Sequence, residues 1–437
     1  MDASAYFRDK RVTVIGLGLL GRGVGDAAYL AQCGAELIVT DLKTREQLTE
    51  SVAQLEAFPN IRFVLGEHRL EDFRGRDLVL KAAGVPLDSP YIAEARQGGI
   101  PVRMSADLFM ELSGIETIGI TGTRGKSTTT HLIAAVLEAA DHRVLLGGNV
   151  RGVSTLTLLK DVTPGHVAVF ELDSWQCQGL AEAKRSPHIS VFTTFYQDHL
   201  NYYKGNLDAY LADKANIFLY QKPEDTLVLG AQCANLVKQK YDSKIHSQVV
   251  VVGPADLPSE WTLKIPGEHN RYNAALALAA ARAYGVADEV SRRALEVFVG
   301  VPGRLEFLRE VNGVKIYNDN NSTTPEATLA ALAALDTPRT VLIMGGADKA
   351  LDMSALLEKV QDAKGVALLA GTGTDRIKDM LPRNTTIYSS ISDAVSAAFE
   401  MTALGDTLLF SPAFASFGMF KNEYDRGDQF TALIKSL

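Results

Sequence analysis

Short runs of aliphatic and β-branched residues recur from the start of the chain, at 11–15, 36–40, 61–65 and 78–81, each closed by glycine, an acid or a small residue. Runs this short, bounded by turn formers, read as buried strands rather than helices. Stretches with helical spacing lie between and after them, at 25–33 and at 128–140. The rhythm returns as strands at 143–146, 167–170, 189–195, 226–229 and 248–252, with helices expected over 208–219 and 274–284. A last set follows at 314–317, 340–344, 366–370 and 407–410, with a helix opening at Pro325, a residue suited to the first turn. Strand, small-residue loop and helix in repetition predict an α/β chain of parallel sheets, with ligand loops at the C-terminal ends of the strands.

Two of those loops carry recognisable chemistry. The first strand opens into Gly16-Leu17-Gly18-Leu19-Leu20-Gly21, and the second ends on Asp41. A G-x-G-x-x-G turn between strand and helix, with an acid about 20 residues on, is the dinucleotide fingerprint in its expected setting. It points to a nucleotide or another phosphorylated ligand, without selecting NAD. The second loop lies within 118–128, I-G-I-T-G-T-R-G-K-S-T. Gly122 and Gly125 let backbone amides turn towards a phosphate, and the following helix N-terminus adds its positive end. Lys126 then reaches the terminal phosphates and Ser127 holds Mg²⁺. The strict phosphate-loop pattern is departed from once, since its first glycine falls on Ile120.

Around that loop stand further candidates. The run 167–170 delivers Glu171 at a strand end, where a metal-binding carboxylate belongs beside a phosphate loop. His199 follows Asp198 just beyond the run 189–195, a setting more often filled by a satisfied histidine than by a metal ligand. Lys214 lies mid-helix, where a lysine is usually solvated. Asn270 and Asn273 open the alanine-rich stretch 274–284, where asparagine commonly caps. Residues 301–304, V-P-G-R, read as a linker.

At 437 residues the chain is too long for one core, and two to three domains are expected. A net charge of −8 argues against nucleic-acid binding, which needs a basic field. Cys33, Cys177 and Cys233 are far apart, which suggests a reducing compartment and neither disulfides nor a zinc site. The N-terminal residues lack a signal peptide's apolar core and no run reaches transmembrane length, so a cytoplasmic protein without membrane insertion is expected.

In order along the chain, T-G-T-R-G-K-S-T (121–128), G-G-N-V-R-G (147–152), E-L-D-S-W-Q (171–176), D-H-L-N (198–201), D-K-A-N-I-F (213–218), G-E-H-N-R-Y-N (267–273), P-G-R-L-E (302–306), N-D-N-N-S-T (318–323), G-G-A-D-K (345–349) and S-P-A-F-A-S (411–416) resemble the Mur ligase family of ATP-dependent amide ligases. The resemblance implies a Rossmann-like domain for a UDP-substrate (1–103), a central phosphate-loop ATPase domain (104–302) and a Rossmann-like C-terminal domain for an amino acid (303–437). It implies amide-bond formation through an acyl phosphate, with UDP-N-acetylmuramoyl-L-alanine and D-glutamate as substrates; a monomer is expected. By the same resemblance Gly16, Gly18, Leu19, Gly21, Asp41, Asn149 and Gln176 bind the UDP-substrate. Gly122, Thr123, Gly125, Lys126, Ser127, Thr128, Asn270, Asn273, Arg304 and Asp319 bind ATP. Lys126, His199 and Lys214 are implied as catalytic, and Thr323, Lys349 and Ser416 as the amino-acid site. Ser127, Glu171, His199 and a CO₂-derived carbamate on Lys214 are implied ligands of two Mg²⁺ ions.

Departures from the family pattern bear on the acceptor. The family's E-L-S-S-F-Q has Asp173 and Trp175 here, N-D-S-K-A-T has Asn321 in place of its lysine, D-H-x-D ends in Asn201, and an aromatic near the C-terminus is Glu423. One cation fewer and one carboxylate more weaken the field for a dicarboxylate. Another Mur or folylpolyglutamate-type ligase with a different acceptor is therefore the alternative. An NAD-dependent dehydrogenase leaves the central G-K-S-T loop without a role.

Overall fold

The computed structural model describes residues 3–19, 21–381 and 385–437, so Leu20 of the glycine fingerprint lies outside the described residues. Three sheets form three α/β domains, and by packing the chain divides into two compact units. One unit is Met1–Asp256 with Ala275–Arg292, and the other is Leu257–Ala274 with Arg293–Leu437.

The first unit holds two sheets. Strands β1 (Arg11–Ile15), β2 (Glu36–Asp41), β3 (Ile61–Leu65), β4 (Leu78–Lys81) and β5 (Val102–Arg103) are parallel, in the order β3-β2-β1-β4-β5. The connection changes direction between β1 and β4, and this switch point is where such sheets open a ligand crevice. Strands β6 (Glu116–Thr121), β7 (Arg143–Gly148), β8 (His166–Glu171), β9 (Ile189–Phe192), β10 (Thr226–Gly230) and β11 (Gln248–Val252) are also parallel, in the order β11-β10-β9-β6-β8-β7. Here β6 lies between β8 and β9, so the phosphate loop leaves the sheet between the ends of two neighbours. One apolar cluster runs from Val12 and Leu37 of the first sheet to Phe170 and Leu227 of the second, which binds the two sheets into one unit.

The second unit has strands β12 (Glu306–Val311), β13 (Val314–Asn318), β14 (Thr340–Gly345), β15 (Gly365–Leu369), β16 (Thr386–Tyr388) and β17 (Thr407–Phe410), in the order β12-β13-β17-β14-β15-β16. Five are parallel, and β12 pairs antiparallel with β13. This corrects the expectation of a wholly parallel sheet. Asn312 and Gly313 turn the hairpin with φ of 51° and 75°, the paired positive values of a tight turn that asparagine and glycine favour. The strand was hidden because 306–311 reads E-F-L-R-E-V, with polar residues interrupting the apolar ones on an edge.

Other elements differ from the periodicity at their ends. The helix expected over 25–33 spans Arg22–Gln32 and begins just after Gly21, which lies in the left-handed region at φ 78°, and a short helix Ala3–Phe7 precedes β1. Gly147 and Gly148 close β7 rather than forming a turn after it. The expected strand 189–195 stops at Phe192, and the expected helix 208–219 spans Leu207–Ala215. Asn270 and Asn273 lie inside the helix Glu268–Tyr284 rather than capping it. The expected linker 301–304 is a tight turn with a bridge between Val301 and Arg304.

Candidate active site

In the first unit the phosphate loop is clamped by the residues that follow β9. Gly122 has φ 140°, and a Cβ there would sit 2.0 Å from Thr193 Oγ1. Thr123 N donates to Thr194 O (2.8 Å), Arg124 N to Thr194 Oγ1 (2.9 Å) and Thr193 Oγ1 to Arg124 O (2.5 Å). The Thr123 hydroxyl is held by Tyr196 O and Tyr210 OH, so its amide and its side chain both serve to fix the loop. Gly125, at φ 86°, starts the helix Lys126–Ala139. Lys126 Nζ lies 3.3 Å from Thr123 O, folded back over the loop, and Ser127 and Thr128 follow in the first turn.

Strand register brings Glu171 to this loop, because Ile120 of β6 pairs with Glu171 of β8. Glu171 is buried and accepts from Asn149 Nδ2 at 3.2 Å, while Asn149 Oδ1 accepts from Arg22 NH1 at 2.6 Å. A polar chain therefore runs from the helix of the glycine fingerprint to the strand beside the phosphate loop. Lys214, in the last turn of its helix, is only 1 % exposed. Its Nζ donates to Gly122 O (2.8 Å) and Thr121 Oγ1 (3.5 Å) and lies 4.8 Å from the centre of the Tyr210 ring. Burial, then the nearby charge of Lys126, pushes its pKa down to about 7. A lysine expected to be solvated is thus a buried amine touching the phosphate loop.

His199 has φ 53° and its ring packs 4.7 Å from that of Trp175. Asp198 beside it pairs with Arg124 at 2.9 Å, which ties this segment to the loop. Among the described residues no group of three or more His, Cys, Asp or Glu is gathered that could hold a metal ion alone. Any ion here would rely on mixed donors: Ser127 opens the helix after the loop, Glu171 ends the neighbouring strand, Lys214 touches the loop, and His199 follows the Asp198 that pairs with it.

The glycine turn after β1 lines a cavity of ≈ 230 Å³ at the switch point. Gly16, Gly18 and Leu19 face it together with Arg22, Lys81, Gly148 and Gln176. Gly18 N donates to Asp41 Oδ2 at 3.0 Å, so Asp41 braces the turn. Gln176 forms a reciprocal cap with Asp173 at the start of the helix Ser174–Ala183. Asp26 is buried beneath the turn, accepting from Ser105 Oγ, Ser154 Oγ (2.6 Å) and Leu156 N (3.3 Å). Burial pushes its pKa up. Arg22, Asp26 and Lys81 escaped the sequence reading as site residues, and Trp175 entered it only as a departure from the family pattern. A cation closing the otherwise apolar run 78–81 was the one signal available for Lys81.

In the second unit Lys349 Nζ donates to Thr323 Oγ1 at 3.1 Å, and the pair Ala347–Ala415 brings the chain next to Ser416 alongside. Asp319 is buried, accepting from Leu305 N (3.0 Å) and Ser411 Oγ (2.8 Å), and burial raises its pKa to about 6. Asn321, at the position of the family's lysine, bonds to Pro302 O at 3.3 Å and accepts from Asn320. Asn270 donates to Pro266 O and accepts from Asn273, while Arg304 is exposed.

Residues 10–104 match the Mur ligase MurD-like N-terminal domain, 120–257 the Mur ligase middle domain and 303–414 the Mur ligase glutamate ligase domain. A UDP-N-acetylmuramoylalanine--D-glutamate ligase of Roseiflexus sp. (strain RS-1) is 37% identical over 98% of both chains. The chain belongs to the Mur ligase family. Mur ligases of the same printed name from Borreliella burgdorferi (strain ZS7) and Geobacillus kaustophilus (strain HTA426) are each 34% identical, over 97% and 100% of both chains. The fold is shared with UDP-N-acetylmuramate-alanine ligase MurC from Thermotoga maritima, at 18% identity and TM-score 0.61 over 98% of this chain and 99% of that one. It is shared too with MurF from Acinetobacter baumannii, at 15% identity and TM-score 0.62 over 99% and 92%. As a Mur ligase this protein is an ATP-dependent ligase. Among the described residues no helix is long and apolar enough to cross a membrane.

Proposed function

We propose that this chain joins D-glutamate to UDP-N-acetylmuramoyl-L-alanine, with ATP cleavage driving amide formation, as a step in peptidoglycan precursor synthesis. The observation that carries the reading is the phosphate loop closed on buried Lys214, with Glu171 at the end of the neighbouring strand. The choice of D-glutamate is supported by the name shared by relatives matched over nearly their whole length.

A carboxylate does not react with an amine, because an oxide is too poor a leaving group. One carboxylate oxygen of the acyl substrate first attacks the γ-phosphorus of ATP, the bond to the bridging oxygen breaks and ADP leaves. The amine nitrogen of D-glutamate then attacks the acyl carbon, the C–O bond to phosphate breaks, and the nitrogen releases a proton. Catalysis of such transfers is mostly positioning and charge neutralisation. Lys126 and the amides around Gly122 and Gly125 take the phosphates, with Thr123 fixing the loop from behind and Ser127 and Thr128 opening the helix. Asn270, Asn273, Arg304 and Asp319 are assigned to the base, ribose and phosphate of ATP. Gly16, Gly18, Leu19, Gly21, Asp41, Asn149 and Gln176 are assigned to the UDP-substrate, and Thr323, Lys349 and Ser416 to the amino acid's carboxylates.

The donor set fits two Mg²⁺ ions once Lys214 is carbamylated. Among the described residues the buried amine bonds only to Gly122 O and Thr121 Oγ1, and near neutral pH a large share of it is unprotonated and able to add to CO₂. Ser127 and Glu171 would hold one ion and His199, with the carbamate, the other; bound there, the ions neutralise phosphate charge. The reading includes domains at 1–103, 104–302 and 303–437, a monomer, and a cytoplasmic location. Asn321 favours a second reading, in which another amino acid is the acceptor. Phosphate release with ATP and UDP-N-acetylmuramoyl-L-alanine against a panel of D- and L-amino acids tests both. D-glutamate alone should support turnover, and a higher rate with any other amino acid overturns the D-glutamate assignment.

A further inference from the structure

Lys81 is the last residue of β4, a strand buried along its whole length, and is itself only 2 % exposed. A lysine in such a place is unusual, since a buried cation is costly unless something balances it. Among the described residues no carboxylate is bonded to it. Its three donors go to backbone carbonyls of the turn that follows, Val85 O at 2.8 Å and Ala82 O and Ala83 O at 3.2 Å. The acids nearest in effect, Asp173 and Asp213, act on it through their field, and burial still pushes its pKa down to about 8.

The location is specific. Lys81 pairs with Ile15 across the β1–β4 ladder, so it stands one residue from Gly16 at the switch point of the sheet. The turn 82–85 packs directly on the glycine turn, because a Cβ on Gly16 would lie 2.8 Å from Ala82 Cβ. Both turns line the same cavity, which Arg22 also faces. Among the described residues the amides of Ala83 and Gly84 have no protein acceptor. Successive backbone amides of a turn that the protein leaves unbonded can form a concavity for an anion.

We infer that Lys81 is a positioning residue for the diphosphate of the uridine-nucleotide substrate, holding the 82–85 turn as the second wall of a cradle whose first wall is the glycine turn. The inference rests on the reading of this cavity as the UDP-substrate site. The bound diphosphate supplies the counter-charge that the protein withholds from Lys81.

The test is calorimetric titration of the full-length wild-type protein and of Lys81→Met with UDP and, separately, with uridine, which lacks the diphosphate. Wild type should bind UDP, and Lys81→Met should bind it at least tenfold more weakly while uridine binding stays within twofold. In turnover, KM for the UDP-substrate should rise by a similar factor, with KM for ATP and kcat near their wild-type values. If the methionine variant does not fold, Lys81→Gln, which keeps an N–H donor but no charge, serves in its place with the same expectation. Equal losses for UDP and uridine, or no loss for either, overturn the role of Lys81 while leaving the cavity's assignment standing. A wild-type protein that does not bind UDP overturns both.

Discussion

Gly148→Ala is the sharpest probe of how the fold holds Glu171. Gly148 ends β7 with φ 81°, and a Cβ there would lie 2.1 Å from the backbone O of Glu171 and 3.0 Å from its carbonyl carbon. That oxygen also accepts from Asn149 N at 2.7 Å, so the methyl group drives apart the strand ends that present Asn149 and Glu171. Left-handed backbone costs a non-glycine residue about 1–2 kcal/mol, and a clash with backbone that cannot rotate away adds about 1–3 kcal/mol. The expected destabilisation is therefore about 2–5 kcal/mol. Gly152 is the matched control, with φ 71° and nothing within 4 Å of an added Cβ, so Gly152→Ala should lose only the conformational part, about 1–2 kcal/mol. Urea unfolding of both variants measures the difference. A Mg²⁺ titration of turnover reads its consequence: Gly148→Ala should need several-fold more Mg²⁺ for half-maximal rate, and Gly152→Ala should not. Equal destabilisation of the two, or an unchanged Mg²⁺ requirement in Gly148→Ala, would refute the reasoning.

Lys126→Ala should abolish turnover and leave the circular dichroism spectrum intact; ATP-dependent phosphate release within tenfold of wild type contradicts the loop's role. Lys214→Ala should be nearly inactive and partly restored by short carboxylic acids, which supply the missing oxygens; wild-type rates without added acid remove Lys214 from the site. Because the Lys214 amine has a pKa of about 7, enzyme stripped of CO₂ should regain activity on CO₂ addition faster at pH 8.5 than at pH 6, where far less of it is unprotonated; equal rates at the two pH values refute the carbamate account. Asn321→Lys should lower KM for D-glutamate several-fold through one added cation, and an unchanged or raised KM shows that Asn321 lies away from the acceptor's carboxylates.

Much of the architecture could be read from residues alone where an apolar run is nearly unbroken, on edge strands as well as inside the sheets. The strands at 11–15, 61–65, 78–81, 248–252 and 407–410 have the bounds that the apolar pattern predicts. The interrupted run of β12 escaped it: that strand is half polar, and only the Asn312-Gly313 turn betrays the hairpin. The candidate chemistry divides in the same way. Phosphate-loop residues carry a local pattern because the backbone turn itself needs glycine at 122 and 125. Lys214 and Lys81 have no such pattern, since what makes them unusual is supplied by neighbours remote in sequence. Lys214 is buried by Tyr210 and the loop at Gly122, and Lys81 lies at the junction of two strands and two turns. Asn270 and Asn273 misled for the converse reason, because a helix-start composition recurs inside a helix that begins two residues before Asn270, at Glu268.

The central claim is that ATP activates the acyl substrate's carboxylate before the amine attacks. UDP-N-acetylmuramoyl-L-alanine labelled with heavy oxygen in its terminal carboxylate measures this directly when turned over with ATP and D-glutamate. An acyl phosphate requires one labelled oxygen to leave with each inorganic phosphate formed, in step with amide product. Amide product accompanied by unlabelled phosphate contradicts the account.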